Sequence, residues 1–185
     1  QVRTQDKILS LYDKDVAVIV RGKAGSEVEF GQRLLLVEQQ NGLIVDWELF
    51  DKASPADNHL IEPVINRLEQ YYGQQHSVST DRAFASKDND KFLESKNIYN
   101  ATCPRSPTQL QEKLKDPVFL DYQTRRSQTE ARICIFKNVF LGCPLRSRVT
   151  ANKRHAINWC VLSHNLWVLS RKASADESQP LQQAA

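Results

Sequence analysis

The chain has 185 residues, a length that suits one domain or one domain with appendages, and its 41% hydrophobic and 25% charged residues are typical of a soluble globular protein. No apolar run approaches the roughly 20 residues of a membrane span, and the four cysteines form no CxxC pair, which disfavours a zinc site and favours free thiols in a reducing compartment. The net charge of +3 hides an asymmetry: residues 122–172 contain ten Lys/Arg and one acid, so this basic segment carries +9 and the remainder −6.

The first fifty residues predict an antiparallel meander of three strands. Val16–Arg21 is short and β-branched, and residues 28–37 predict a second strand. The pair Asn41-Gly42 is a strong hairpin signal that leads into a third strand over residues 43–50.

Helices and two short strands follow. A helix is predicted from about Ala53 to Tyr72, with Gly73 as its stop. The remaining predicted elements are strands over Ser77–Asp81 and Ile98–Thr102, helices over Ser86–Lys96 and Gln109–Lys115, a longer helix from near Val118 that carries Glu130, a last helix over Ala151–Lys172 and a disordered tail over Ala173–Ala185. This order predicts a mixed α/β domain with a sheet flanked by helices.

Asp81 is the first candidate for chemistry. It ends a predicted strand, and ligand sites in open α/β sheets lie outside the carboxyl ends of strands. A carboxylate there is well placed to bind a metal ion. The alternative is an ordinary turn or helix-capping aspartate.

Glu130 is the second candidate, because it is the only acid of the basic segment. Arg126, Ile133 and Lys137 stand at spacings that line one stripe of a helix with it. Such a stripe presents one metal ligand between two cations that suit phosphate. The alternative is an exposed acid that relieves charge repulsion through pairing with Arg126.

Several strings, in order and spacing, resemble the catalytic domain of bacterial insertion-sequence transposases of the DDE type. No single string is specific, but together they cover about residues 7–172. They are Val20–Gly25, Val28–Gly31, Asn41–Asp46, Ala56-Asp57 with Leu60, Thr80–Ser86, Lys96–Asn100, Cys103–Arg105, the set Arg126, Glu130 and Lys137, and His164–Leu166.

The resemblance implies a ribonuclease H-like mixed sheet that clusters three carboxylates. It places the second acid on Asp81 and the third on Glu130, with Arg126 and Lys137 completing the family's helical pattern. Three positions depart from that pattern: Tyr122 is one residue out of register, and the family's glycine and second aspartate after Asp81 are Ala83 and Ala85.

The first acid has no match in the chain. In the family it lies on a strand that would precede Gln1, and the chain has no methionine, even at position 1. We therefore expect a truncated domain over residues 1–172 that lacks the strand bearing the first acid. Asp46 is rejected as a substitute because its matched position is not catalytic, and Asp57 matches a position that is not a metal ligand.

The implied function is DNA transposition, by metal-dependent cleavage and transfer of strands at insertion-sequence ends. Asp81 and Glu130 would bind Mg²⁺ or Mn²⁺, Arg126 and Lys137 would bind phosphate near the cut, and the isolated fragment would be inactive. The expected partners are insertion-sequence ends and target DNA in the bacterial cytoplasm and nucleoid, no membrane is involved, and a homodimer on paired ends is left open. Flanking DNA would be contacted by Arg146, Arg148, Lys153 and Arg154.

Two other interpretations compete with an enzyme. A non-catalytic DNA-binding remnant of the same fold is favoured if the chain truly lacks the first acid. A resolvase or nuclease of similar fold is less favoured, because the resemblance also runs through strings that carry no chemistry.

Overall fold

A computed structural model describes residues 8–11, 13, 16–23, 26–51, 54–142, 145 and 147–182. The chain forms two compact units. The central unit is Pro55–Ala131, and the split unit combines Gln1–Ser54 with Arg132–Ala185. The predicted candidates Asp81 and Glu130 both fall in the central unit.

Two antiparallel hairpins form the first part of the split unit. Strand β1 (Ala17–Lys23) pairs with β2 (Ser26–Gly31), and β3 (Leu34–Glu38) pairs with β4 (Ile44–Leu49). The predicted turn at Asn41-Gly42 is confirmed, since Gly42 has a φ of 90°, which is readily adopted only by glycine. The predicted second strand is wrong as a single element, because the chain leaves the pairing between Gly31 and Leu34 and forms two strands.

The second part of the split unit is helical. A π-helical segment, Phe136–Leu141, is followed by the long helix α5, Thr150–Gln182. Two hydrogen bonds of Asn165 connect helix α5 to β4. The side-chain oxygen of Asn165 accepts from the Ile44 N–H at 2.9 Å, and its side-chain nitrogen donates to the Ile44 carbonyl at 2.8 Å. A side-chain amide thus satisfies both backbone groups of the residue that opens β4.

Helix α5 runs past its predicted end. The sequence predicts an end at Lys172, whereas the helix continues to Gln182, through most of the segment expected to be a disordered tail. The residues just after Lys172 are Ala173, Ser174 and Ala175, and alanine is the strongest helix former, so the preceding helix is readily extended.

The central unit contains four helices and one pair of short strands. The helices are α1 (Ile61–Tyr72), α2 (Lys87–Ser95), α3 (Pro107–Lys113) and α4 (Pro117–Ile135), whose last residues belong to the split unit. The strands β5 (Ser77–Val78) and β6 (Tyr99–Asn100) are parallel. A buried core lies between α1, α2 and the start of β6 and consists of Ile61, Ile65, Leu93 and Ile98.

The helix boundaries in the central unit follow local signals in the sequence. Gly73 ends α1 with a φ of 75°, and Ser86 caps α2 by accepting from the Asn89 N–H at 3.1 Å, as predicted. The predicted helix from Ala53 is shorter than expected, because a single 3₁₀ turn at Asp57–His59 precedes α1.

The mixed α/β class is confirmed, but the arrangement of the strands differs from the expectation. The described strands pair two by two in three separate sheets, so they do not form the single mixed sheet that the resemblance implies. Strands β5 and β6 are only two residues long, which gives this parallel pair little edge for a further strand. Within the described ranges, every helix is too short or too polar to cross a membrane.

Candidate active site

Asp81 lies just beyond the carboxyl end of β5. The pairing with β6 continues past the two assigned residues, because the Ala101 N–H donates to the Val78 carbonyl at 2.8 Å and the hydroxyls of Thr80 and Thr102 lie 2.9 Å apart. The chain then turns, and Asp81 Oδ1 accepts from the Arg82 N–H at 2.6 Å, capping a 3₁₀ turn. The predicted strand is confirmed, but it ends at Val78 and not at Asp81, which has the capping role considered as the alternative.

Glu130 lies on α4 and pairs with Arg126 one turn earlier. Arg126 Nη1 donates to Glu130 Oε1 at 2.6 Å, and the same nitrogen lies 3.8 Å from Asp81 Oδ1. Because both distances start from one atom, the two carboxylate oxygens lie at most about 6.4 Å apart, the sum of 2.6 and 3.8 Å. The structure therefore brings Asp81, Arg126 and Glu130 together, as we expected from the resemblance.

The two acids are open to solvent, and the cation between them is less so. The side chains of Asp81 and Glu130 are 67% and 62% exposed, against 31% for Arg126. A ligand can reach either carboxylate from solvent, whereas the guanidinium is partly enclosed.

Gln123 holds Arg126 in this place, a role that the sequence does not predict. Its Oε1 accepts from Arg126 Nε at 3.3 Å, while its Nε2 donates to the carbonyl of the fully buried Ala101 at 3.0 Å. The available signal was its position three residues before Arg126, where both side chains lie on one helix face. A chain of hydrogen bonds thus connects the residue after β6 to Glu130, and an ion pair connects Arg126 to Asp81.

Tyr122 points towards the start of the parallel strands. Its hydroxyl donates to Ser77 Oγ at 2.8 Å, and its ring stacks on Tyr99 with the centroids 5.5 Å apart. Tyr99 in turn donates to Asp116 Oδ2 at 2.6 Å. Partial burial, followed by this hydrogen bond to a carboxylate, raises the pKa of Tyr99 to about 12. The same hydrogen bond lowers the pKa of Asp116.

The pair of carboxylates fits part of a site for a hard divalent cation. Carboxylate oxygens are the ligands that Mg²⁺ and Mn²⁺ prefer, and Asp81 and Glu130 present theirs at most about 6.4 Å apart. Within the described ranges, no group of three or more His, Cys, Asp or Glu side chains is arranged to hold a metal ion. These two acids are therefore the donors that the described chain offers in this place.

The remaining predicted phosphate contacts lie in the split unit. Lys137 is exposed on the π-helical segment that directly follows α4, and Arg148 is exposed just before α5. Arg146 lies outside the described residues. The two described side chains present positive charge to solvent, which is the property a phosphate contact requires.

Much of the basic segment is paired within the protein, and the burial of Lys153 corrects the expectation that this residue contacts flanking DNA. Lys153 is only 5% exposed, forms an ion pair with Asp13 and donates to Gln32 Oε1 at 2.6 Å. Its burial could not be read from neighbouring residues, because both partners lie far away in the sequence. Further cations of the segment also pair with acids, among them Arg125 with Asp121, Arg126 with Glu130, Arg132 with Glu38, and Arg154 with Asp51.

Arg154 differs from Lys153 in exposure. Its guanidinium donates to Asp51 Oδ1 at 2.8 Å and to the Leu49 carbonyl at 3.2 Å, yet its side chain remains 48% exposed. It can therefore still face a ligand. Asp46, rejected as a catalytic acid, lies in β4 opposite Val37, and Asp57 opens the 3₁₀ turn before α1.

Comparison with known proteins identifies the family. The family model described as Transposase DDE domain matches residues 19–159, which is most of the chain and includes Asp81, Arg126 and Glu130. No curated protein and no solved structure matches the chain. The chain thus belongs to the DDE-domain transposase family, whose members act in DNA transposition.

Proposed function

We propose that this protein cleaves and transfers DNA strands at the ends of an insertion sequence in a metal-dependent reaction, with Asp81 and Glu130 as metal ligands. One observation carries the assignment of these two acids. Side chains separated by 49 positions in sequence, one after a strand and one on a helix, meet around the same guanidinium nitrogen. The resemblance places two of the family's carboxylates in these two structural contexts. We infer a ribonuclease H-like placement of the two elements that carry them, although the described strands pair in separate sheets.

The residues of the site divide the work between ligand binding and positioning. Asp81 and Glu130 would hold Mg²⁺ or Mn²⁺, which when bound supplies Lewis-acid stabilisation of the charge that develops at the attacked phosphate. Gln123 and the 3₁₀ turn after Asp81 fix the orientations of Arg126 and of the Asp81 carboxylate before any substrate arrives. Because these side chains are already oriented, less conformational entropy is lost when the substrate binds.

The protein's own cations would bind the DNA backbone. Arg126 has the planar donor fork that matches a phosphate, and Lys137 supplies an exposed point charge. Arg148 and Arg154 would contact flanking phosphates, together with Arg146. Contacts of this kind position the duplex without reading its sequence, so binding should weaken steeply as salt rises.

A second copy of the chain is the proposed protein partner, one copy for each of two paired DNA ends. Four large apolar side chains on α5 are 48–69% exposed and are spaced by three, four and three residues, as in the seam of a coiled coil. Ser163 and Ser170 come directly after two of these apolar residues and are uncharged, so two identical copies that pair here would not bring like charges together at these positions. The seam consists of Trp159, Leu162, Leu166 and Leu169. We place the complex on DNA in the bacterial cytoplasm and nucleoid.

A non-catalytic DNA-binding role is the second candidate function. It is favoured by the number of acids: within the described part of the chain, Asp81 and Glu130 are not joined by a third metal-binding side chain. Two carboxylates offset the charge of one divalent cation, and a site that binds two such cations, as phosphoryl transfer often uses, needs twice that negative charge. A protein with this pair alone would bind DNA and hold metal weakly.

The deciding experiment is a nicking assay with the full-length product of the gene. The substrate is a supercoiled plasmid that carries the DNA flanking the gene, and the cation is Mg²⁺ or Mn²⁺. We expect metal-dependent nicks that disappear in Asp81→Asn and in Glu130→Gln, while filter binding of the same plasmid persists in both variants.

The matched control is Asp121→Asn, which removes an acid from the same helix that pairs with Arg125 and not with Arg126. This variant should nick like the wild type. Nicking that survives Glu130→Gln would show that the acids are misassigned. Binding without nicking by the wild type, with or without Mn²⁺, would establish the non-catalytic role.

A further inference from the structure

We infer that Arg126 is an exchangeable counter-ion which links metal binding at Asp81 and Glu130 to phosphate binding from DNA. This inference rests on the proposed function, because it takes the two acids to be metal ligands. In the absence of metal the guanidinium occupies the space between the carboxylates, and in the presence of both ligands it binds phosphate instead.

The positive charge of Arg126 lies next to the two carboxylates that a metal ion would bind. Nη1 lies 2.6 Å from Glu130 Oε1 and 3.8 Å from Asp81 Oδ1. A divalent cation that binds the same two carboxylates therefore meets a positive charge at close range. At about 4 Å in water-like surroundings, a divalent ion and a guanidinium repel twice as strongly as a pair of unit charges, which lowers the affinity by up to about thirtyfold before salt screens the repulsion.

The network around Arg126 makes its position specific. An exposed pair between residues four apart on a helix usually contributes little and fluctuates. Here Gln123 accepts from Nε and itself donates to the carbonyl of buried Ala101, so the guanidinium has a second point of attachment besides the acids. The guanidinium is thus aimed at the carboxylates by the protein.

A phosphate offers the guanidinium an alternative partner. Arg binds phosphate through parallel N–H donors, and such charge-assisted bonds are roughly twice as strong as neutral ones. When phosphate takes the guanidinium, the carboxylates lose their counter-ion and their affinity for a divalent cation rises. Linkage requires the reverse as well: bound metal must strengthen DNA binding by the same factor.

The first arm of the test measures metal affinity without DNA. Mn²⁺ is titrated into the chain, and the free ion is counted by its electron paramagnetic resonance signal. Arg126→Gln should bind Mn²⁺ about fivefold to tenfold more tightly than the wild type, because the competing charge is gone. Gln123→Leu, which keeps the bulk and removes the hydrogen bonds, should tighten Mn²⁺ binding by a smaller factor.

Arg125→Gln is the matched control. It removes the same charge one position earlier on α4, where the guanidinium pairs with Asp121 at 2.9 Å. Its Mn²⁺ affinity should stay within about twofold of the wild type, since its charge is not aimed at the two acids. A gain in Arg125→Gln equal to that in Arg126→Gln would reduce the effect to net charge and overturn the inference.

The second arm measures the coupling. Fluorescence anisotropy gives the affinity for a labelled duplex at constant ionic strength, with and without Mn²⁺. The ratio of wild-type to Arg126→Gln affinity should rise about threefold to fivefold when Mn²⁺ is added, whereas the ratio of wild type to Arg125→Gln should not change.

The outcomes separate the inference from the proposed function. If Asp81→Asn abolishes Mn²⁺ binding but Arg126→Gln leaves both the affinity and the coupling unchanged, the exchange is wrong and the metal site stands. If Mn²⁺ binds to neither the wild type nor Arg126→Gln, both the exchange and the metal site are wrong.

Discussion

Replacing Lys153 with methionine separates a structural role for this residue from the DNA contact predicted from sequence. Methionine keeps an unbranched apolar stem of similar reach but removes the ammonium. That ammonium is buried, pairs with Asp13 and donates to Gln32 Oε1 at 2.6 Å. The substitution therefore leaves a carboxylate and a side-chain carbonyl without their cation.

The size of the expected loss follows from the burial of the pair. Breaking a buried ion pair by removing one partner costs about 3–5 kcal/mol. Asp13 keeps 19% of its side chain exposed, so water compensates part of that cost, and we expect Lys153→Met to lower the free energy of unfolding by about 2–4 kcal/mol. The double variant Lys153→Met with Asp13→Asn removes both charges and should recover at least half of the loss.

The assay combines urea unfolding, followed by circular dichroism, with duplex binding at several salt concentrations. Arg154→Gln is the surface control: its pair with Asp51 is about half exposed, so its cost should stay below about 1 kcal/mol. In binding, Arg154→Gln should reduce the salt slope by about one unit and Lys153→Met should leave it unchanged. A Lys153→Met protein of wild-type stability with a reduced slope would refute the structural role and restore the DNA contact.

Two further perturbations test other parts of the structure. If a second copy binds through the apolar seam of α5, Leu166→Glu should make the chain monomeric in analytical ultracentrifugation. Asn158→Glu, which is also exposed on α5 but lies outside the seam, should not have this effect. A wild type that is monomeric at high micromolar concentration would exclude this interface. The hydrogen bond from Tyr99 is the main cause of the lowered pKa of Asp116. This bond therefore stabilises the fold at pH values above the ordinary carboxyl pKa, and its contribution is lost as the pH falls through the lowered pKa. Tyr99→Phe should therefore raise the pKa of Asp116 towards its ordinary value in a carbon-13 titration, and an unchanged pKa would contradict this cause.

Local signals in the sequence predict the local features of the fold. Gly42 and Gly73 were placed correctly at a hairpin turn and a helix end because both positions require a positive φ, which glycine adopts without a steric cost. Ser86 was placed correctly as a helix cap because its hydroxyl needs only the amide three residues later. Each of these features depends on a few adjacent residues.

Features that depend on distant partners were not predicted. Lys153 looked like one more cation of a basic surface, and its burial depends on Asp13 and Gln32, which come from the other end of the chain. The pairing of the described strands into three separate sheets likewise depends on which strand lies beside which. The alternation of apolar residues along one strand does not specify its neighbour.

The candidate site was predictable only in part. The resemblance named Asp81, Arg126 and Glu130 through their order and spacing, and the structure places them together. Gln123 was missed, because its role consists of two hydrogen bonds, one of them to a backbone carbonyl 22 positions away. The positioning role of Gln123 depends on the place of the Ala101 carbonyl after β6, which a pattern of residue types does not specify.

The central claim is that Asp81 and Glu130 share one metal site, and iron-directed cleavage of the chain tests it most directly. Fe²⁺ with ascorbate and peroxide produces hydroxyl radicals that cut the backbone close to a bound iron ion, and the fragments are sized by mass spectrometry. Our account predicts cuts near residues 81 and 130 that fade with excess Mg²⁺ and are lost in Asp81→Asn. Cuts at only one of these positions, or the same cuts in Asp81→Asn, would contradict a shared site.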